Sequence, residues 1–324
     1  MRFVYCGKML SKSEIKVLSF IGKNPIDRLS VHEIADGLDW SDSYASRVIS
    51  ELERRGFVRT EQDSGKKLVS GNDVRPIGLL GNLTSEFGHV DFPELISGAA
   101  LEILYYLDRR RTATELAELG RTSRNTVYRR LNSLQRVGIV GKDYSQYQLT
   151  EPFSSLSELA RSVAHHDHRR EALSLTGGVN IIWERHDEYL FSCDAEFTAD
   201  EFSPTGPSVF EEFGIPLFTR DRRHYLRSEQ LPRVTAADLV CHTLLIDDST
   251  RYRTYCLLLI ESQDIDPSTL KERAAYYGSE ARIDLVDLTE RLVSYLDSDG
   301  GVTNEMFPKW EDFKSTASDY NISA

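Results

Sequence analysis

The sequence predicts an α+β protein in which one unit of three helices and a β-hairpin is used twice, ahead of an acidic α+β domain. Three observations lead there. The chain can be laid over itself at an offset of 82 residues, and two segments then align without a gap. Each copy ends its helix signals on a glycine and continues with two short strand signals around a polar turn. Charge is also sorted along the chain: residues 1–150 hold 22 Lys+Arg against 19 Asp+Glu, and the remainder holds 17 against 32.

At the 82-residue offset, VHEIADGLDWS (31–41) lies over ATELAELGRTS (113–123). Beyond it Arg47 falls on Arg129, Leu52 on Leu134, Arg54 on Arg136, and Gly56-Phe57-Val58 on Gly138-Ile139-Val140. No single match carries weight; their common order does.

The elements follow in order. The first helix of each copy is amphipathic, with Ile15, Val17, Leu18 and Ile21 in one and Leu101, Ile103, Leu104 and Leu107 in the other. A short second helix starts after Ser30 or Thr112 and buries Ile34-Ala35 or Leu116-Ala117; the small alanine lets two helices cross closely. Ser41 and Ser123 are N-caps for a third helix. Ala45, Val48, Ile49 and Leu52, and in the second copy Val127, Leu131 and Leu134, form its buried stripe. Gly56 and Gly138 stop it. The hairpins are read as 57–60 and 66–69 around a 61–65 turn, and as 139–140 and 144–149 around a 141–143 turn.

Three helices and a hairpin make a winged helix. The fold class is therefore α+β: two tandem winged helix-turn-helix domains (1–75 and 92–150) followed by an acidic α+β domain. That domain spans 176–300, reached through a helical connector at 151–175 and followed by a C-terminal tail at 301–324. Within it, short strands are expected at 179–183 and 189–191 and through the alternating Tyr252, Thr254, Cys256 and Leu258 into Ile260. Helices are expected at 236–245, 267–277 and 288–296, with a further small helix after Pro308 or a partner contact there. The connector reads as a solvated polar helix with Leu156, Leu159 and Val163 on one side. Its His165-His166-Asp167-His168 run invites a metal, but neighbouring residues on a helix point different ways.

The segments ELERRGFVRT and LNSLQRVGIVGKDYSQYQLT resemble MarR-type and related archaeal winged-helix regulators, and the resemblance implies a third helix in the DNA major groove. The run from Val234 to Leu292 resembles the C-terminal region of AbiEi-type antitoxin regulators, which implies dimerisation or a protein partner. By the first resemblance, the DNA-contacting residues are those opposite the buried stripes. They are Ser43, Tyr44, Ser46 and Arg47 in copy one and Arg121, Ser123, Arg124, Asn125, Thr126, Tyr128 and Arg129 in copy two, followed by Arg136. Wing contacts fall to Arg59, Lys66 and Lys67, and to Lys142 and Tyr144. Arginine suits guanine or phosphate and asparagine suits adenine. Copy two, with four Arg between 121 and 130 and no acid, is expected to carry most of the affinity. For copy one DNA contact is the favoured reading, and a structural or dimerising role is the alternative.

Composition sets the boundaries. The net charge is -12, and of 39 basic residues only 10 are Lys. Such a profile looks haloarchaeal; an Arg-favouring high-GC genome is the alternative. Near 1 M salt the screening length falls to about 3 Å, so DNA binding there rests on close contacts. No run of 18 apolar residues exists, and Met1 to Tyr5 does not open a signal peptide, so a cytoplasmic protein without membrane contact is expected. Cys6, Cys193, Cys241 and Cys256 are expected as reduced, mostly buried thiols. No P-loop, G-x-S-x-G, H-E-x-x-H or G-x-G-x-x-G occurs, and Asp247-Asp248 and Asp264/Asp266 read as loop carboxylates. No enzyme activity, cofactor or metal is expected. The function read from this is a sequence-specific regulator of transcription on double-stranded DNA, a repressor acting as a homodimer. Alternatives are an antitoxin that represses its own operon, and a plasmid or viral replication or partition protein.

Overall fold

The computed structural model describes residues 9–23, 28–63, 65–217, 222–231, 233–301 and 306–323. Met1 to Tyr5 and Cys6, both used above, lie outside them. The chain divides into two compact units, Met1–Glu171 and Ala172–Ala324.

The first unit contains the same order of elements twice. The first set is α1 (Lys12–Gly22), β1 (Leu29–Ser30), α2 (Val31–Gly37), α3 (Asp42–Arg54), β2 (Val58–Asp63) and β3 (Lys66–Gly71). Helices α4 (Arg75–Glu86) and α5 (Phe92–Leu95) lead to the second set. This is α6 (Ala99–Tyr105), β4 (Arg111–Thr112), α7 (Ala113–Leu119), α8 (Arg124–Arg136), β5 (Val140–Asp143) and β6 (Gln146–Leu149). Both three-stranded sheets are antiparallel and ordered alike, β1-β3-β2 and β4-β6-β5. Helix α9 (Ser155–Leu173) follows.

The equivalence reaches single hydrogen bonds. Ser30 with Glu33, and Thr112 with Glu115, form reciprocal capping boxes on α2 and α7. Ser41 and Ser123 accept from the Tyr44 and Thr126 amides and cap α3 and α8. The turns before these helices place Asp39 and Arg121 at φ 55° and 48°. Gly56 and Gly138 take φ +77° and +76°, a left-handed helix stop that a side chain would strain. One feature escapes the fixed offset because the second wing is shorter. Asn72 Nδ2 donates to the Gly56 carbonyl at 2.8 Å, and Thr150 Oγ1 donates to the Gly138 carbonyl at 2.7 Å, so each wing is tied back to the end of its third helix.

The structure differs from expectation at several places. In the first wing β2 continues to Asp63, which pairs with Lys66, where a turn over 61–65 was expected. Helix α4, opened by Pro76 in its first turn, occupies a stretch for which no element was expected. The second wing turns at Tyr144-Ser145, not at 141–143, because Asp143 pairs with Gln146 and Tyr144 takes φ 51°. Lys142 is therefore a strand residue. The connector helix α9 is not a solvated polar helix. Its Leu156, Leu159, Ala160, Val163 and Ala164 join the core shared by both winged helices, and its polar side is spent on ion pairs. Asp167 binds Arg55, whose Nη2 lies 2.5 Å and Nε 3.2 Å from the carboxylate, while Arg55 Nη1 donates to Glu14 at 2.7 Å. His166 Nε2 lies 2.8 Å from the Arg55 carbonyl, and burial holds that imidazole below its ordinary range. Near its start, Arg161 bridges to Asp108 at 3.3 Å and covers the Tyr105 ring.

Further differences are in the second unit, where no strands were expected at 202–205 or 223–227. Its sheet comprises β7 (Asn180–Glu184), β8 (Tyr189–Cys193), β9 (Phe202–Thr205) and β10 (Arg223–Arg227), antiparallel in the order β7-β8-β10-β9. The helices are α10 (Ala236–Ile246), α11 (Thr250–Ser262), α12 (Pro267–Gly278), α13 (Leu285–Asp297) and α14 (Trp310–Asp319). The stretch expected as a strand through Tyr252 and Cys256 is helix α11. It buries Tyr252, Arg253 and an unbroken Cys256–Ile260 run among neighbouring helices, so its apolar pattern has no one-sided period to betray a helix. Alternate β8 residues serve two cores: Leu190 faces the helices with Trp183 and Leu226, while Tyr189, Phe191 and Cys193 join Phe202 and Tyr225 on the other face. In the tail, α14 packs Phe313 and Ala317 into the helical core. Cys193, Cys241 and Cys256 are free and buried.

Two predictions follow from these interiors. Arg55→Ala strands Glu14 and Asp167 and should lower the opening free energy of α9, read by hydrogen exchange, by about 3–5 kcal/mol. Glu14→Leu, Arg55→Met and Asp167→Leu together should restore most of it; a triple variant as weak as the single would refute the pairing account. His242 is fully buried, and burial lowers its imidazole to about 4. The unfolded chain therefore takes a proton that the folded core refuses, and stability should fall as pH drops from about 6.5 toward 4, by about 3 kcal/mol at most. Denaturant unfolding read by Trp fluorescence should lose stability faster with acid than the same measurement on His242→Gln. Parallel curves would contradict it.

Candidate nucleic-acid interface

Both third helices bury one stripe and expose the opposite face. On α8 that face carries Arg124, Asn125, Tyr128, Arg129, Asn132 and Arg136, all exposed. The same six positions on α3 are Asp42, Ser43, Ser46, Arg47, Ser50 and Arg54. The two surfaces share geometry and differ in chemistry. Long donors on α8 face short hydroxyls on α3, and the first-turn charge is reversed. Asn132 was not singled out in the sequence; its spacing four residues past Tyr128 and three past Arg129 would have found it.

Electrostatics sharpen the contrast. Among the described residues Arg124, Arg129 and Arg136 form no ion pair, and α8 contains no acid. Around α3, Arg54 pairs with Glu51, and Lys67 donates to Glu53 at 3.2 Å. Burial would raise the Glu53 carboxyl, but the Thr60 hydroxyl and Lys67 hold it below its ordinary value. Arg59 lies 4.0 Å from Glu61, which also accepts from Arg28 at 2.7 Å. Asp42 lies 3.1 Å from His32 Nδ1, and that hydrogen bond raises the imidazole pKa. Most cations on this face already have a carboxylate.

The remaining candidates divide clearly. Tyr44 is half-buried, its hydroxyl 2.5 Å from Ser13 Oγ, its ring edge-on to Trp40 and beneath the Arg47 guanidinium at 5.0 Å. It acts as a platform for Arg47 and is not an open donor. Ser43 is exposed, 3.2 Å from Ser41 Oγ, and Ser46 is half-buried. Ser123 and Thr126 hydroxyls lie 3.0 Å apart, both turned to capping α8. Arg121 sits in the left-handed turn that aims α8. Lys66 is exposed on the first wing. On the second wing, Lys142 lies 5.2 Å above the Tyr147 ring and Tyr144, 95% exposed, forms the tip. At its base Arg110 donates to Gln148 at 2.8 Å and to Asp143 at 3.1 Å. Among the described residues no group of three or more His, Cys, Asp or Glu converges on a common point, and no helix is long and apolar enough to cross a membrane.

Residues 15–62, from α1 through β2, match the IclR helix-turn-helix domain. Residues 199–322 match the C-terminal domain family HVO_2833_C. Neither a curated protein nor a solved structure matches the chain. The chain thus carries an IclR-type helix-turn-helix in its first winged helix, which supports a DNA-binding transcriptional regulator.

Arg124→Ala and Arg129→Ala remove exposed, unpaired side chains and should shift unfolding free energy by no more than about 0.5 kcal/mol. A larger loss in thermal or denaturant unfolding would assign these arginines to folding.

Proposed function

We propose that the protein is a sequence-specific transcriptional regulator that reads double-stranded DNA chiefly through α8. The observation that carries this reading is the α8 face, where three arginines without carboxylate partners alternate with Asn125 and Asn132. It occupies the helix face equivalent to that of the IclR-type helix. Unpaired guanidiniums can take guanine edges or phosphates without first breaking an ion pair, and amides can take adenine. The serine face of α3 is too short for most base edges and stands beside Asp42; it supports phosphate or water-mediated contact. Tyr144 and Lys142 extend the α8 surface along the wing.

The second unit holds most of the acid and would be repelled by phosphate. It serves the regulator by association, as a dimer or with a protein partner. A homodimer would present two α8 helices to half-sites about 34–36 Å apart, or a multiple of that. The acid-rich, lysine-poor composition and the match to HVO_2833_C favour a salt-adapted archaeal host, where screening leaves these short contacts to supply specificity.

Selection of bound fragments from genomic DNA, in low and in molar KCl, identifies the site. On it Arg124→Ala or Arg129→Ala should weaken binding by about 1–3 kcal/mol and relax one base position, and Arg47→Ala should cost less. A loss at Arg47 as large as at Arg129 would reverse the ranking of the two helices. Failure to retain any duplex at either salt would end the DNA reading.

A further inference from the structure

The first unit contains a cleft that the α8 surface does not use. Its volume is about 450 Å³, inside the roughly 300–1,000 Å³ typical of small-molecule sites. Helix α1 forms one wall, the end of α2 a second, and the stretch from the end of α4 into α5 a third.

The walls combine two chemistries. Phe20, Leu38, Val90 and Pro93 are apolar. Lys16 and Lys23 stand four residues before and three after Phe20, which places their ammoniums on the same helix face as the ring. Neither lysine forms an ion pair among the described residues. Among the described residues that line the cleft the one carboxylate, Asp91, accepts from the Glu94 amide at 3.2 Å and caps α5. Ser19, also on the wall, is 8% exposed, and its hydroxyl has no hydrogen-bond partner. A buried hydroxyl left without a partner costs about 1–3 kcal/mol. The Phe20 ring lies against the Gly37 backbone so closely that a Cβ at 37 would come within 2.4 Å of it. Glycine there leaves the ring its place at the side of the cleft.

We propose that this cleft is a binding site for a small amphipathic organic anion. Its apolar body would lie along Phe20, Leu38, Val90 and Pro93, and its anionic group would sit between Lys16 and Lys23, where an oxygen can accept from Ser19. Among the described lining residues, an excess of two lysines without ion pairs over one carboxylate sets the sign of the ligand's charge. The apolar walls require more than inorganic phosphate. The inference does not depend on the DNA reading.

The test uses the full chain in molar KCl with two fluorescent probes of similar shape, 8-anilinonaphthalene-1-sulfonate and its uncharged relative N-phenyl-1-naphthylamine. Lys16→Gln with Lys23→Gln should weaken the sulfonate about tenfold, through loss of two charge-assisted contacts, and leave the neutral probe within about twofold. Lys16→Arg with Lys23→Arg keeps both charges and should keep sulfonate binding, which controls for folding. Gly37→Ala displaces the Phe20 ring, which forms part of the cleft wall, and should weaken both probes. If no component of sulfonate binding responds to the glutamines, or if Gly37→Ala binds both probes as the parent does, the assignment is wrong.

Discussion

The guanidinium of Arg55 organises the first unit. It lies at the end of α3 and is shared between Glu14 on α1 and Asp167 on α9, with all three side chains withdrawn from water. Burial alone would favour the neutral form, yet Asp167 and Glu14 hold this arginine above its ordinary pKa. Two carboxylates on one guanidinium join three helices distant in sequence at one point. The stacking of Arg55 over Phe57 and of Phe57 against His166 extends the junction into the first wing. The equivalent position in the second copy is Val137, 44% exposed. One winged helix is thus clamped at the end of its third helix and the other is not. Helix α9 reaches the second copy instead through Arg161 on Asp108 and Tyr105.

This asymmetry runs with the chemistry of the two exposed faces. Both copies keep the capping boxes on α2 and α7, the left-handed turns, the glycine stops and the tie from wing to helix end. They do not keep the same side chains facing outward. The first copy pairs Arg54, Lys67 and Arg59 with Glu51, Glu53 and Glu61 and presents serines; the second leaves Arg124, Arg129 and Arg136 without an ion pair among the described residues. A clamped module with a muted surface thus stands beside an unclamped one with an arginine surface. The family match, over residues 15–62, falls on the muted copy.

The second unit meets its acidity in a different way. Asp238, buried in α10, accepts from Thr235 as part of a cap and from Arg273 Nε at 2.5 Å and Tyr277 at 3.0 Å. Burial would raise this carboxyl, and the Thr235 bonds with Arg273 keep it below its ordinary value. Tyr277 in turn accepts the Trp183 indole at its carbonyl, linking α12 to β7. Interior carboxylates are thus paired. The exposed surplus would repel phosphate.

The sequence by itself determined whatever depends on neighbours within a few residues. Ser30 and Thr112 mark helix starts, Gly56 and Gly138 mark stops, and the three-and-four spacing of Val127, Leu131 and Leu134 fixes which face of α8 is left for a ligand. Repetition at 82 residues then gave the winged-helix order twice. Tertiary structure alone decided the rest, because each answer hangs on a distant partner. Asp167 is a surface acid until Arg55, 112 residues away, comes beside it. Residues 252–260 read as a strand until surrounding helices bury every side of them and erase the period. Tyr144 became the wing tip only when Asp143 paired with Gln146. Which arginines remain unpaired could be counted only after every carboxylate had found its place in three dimensions.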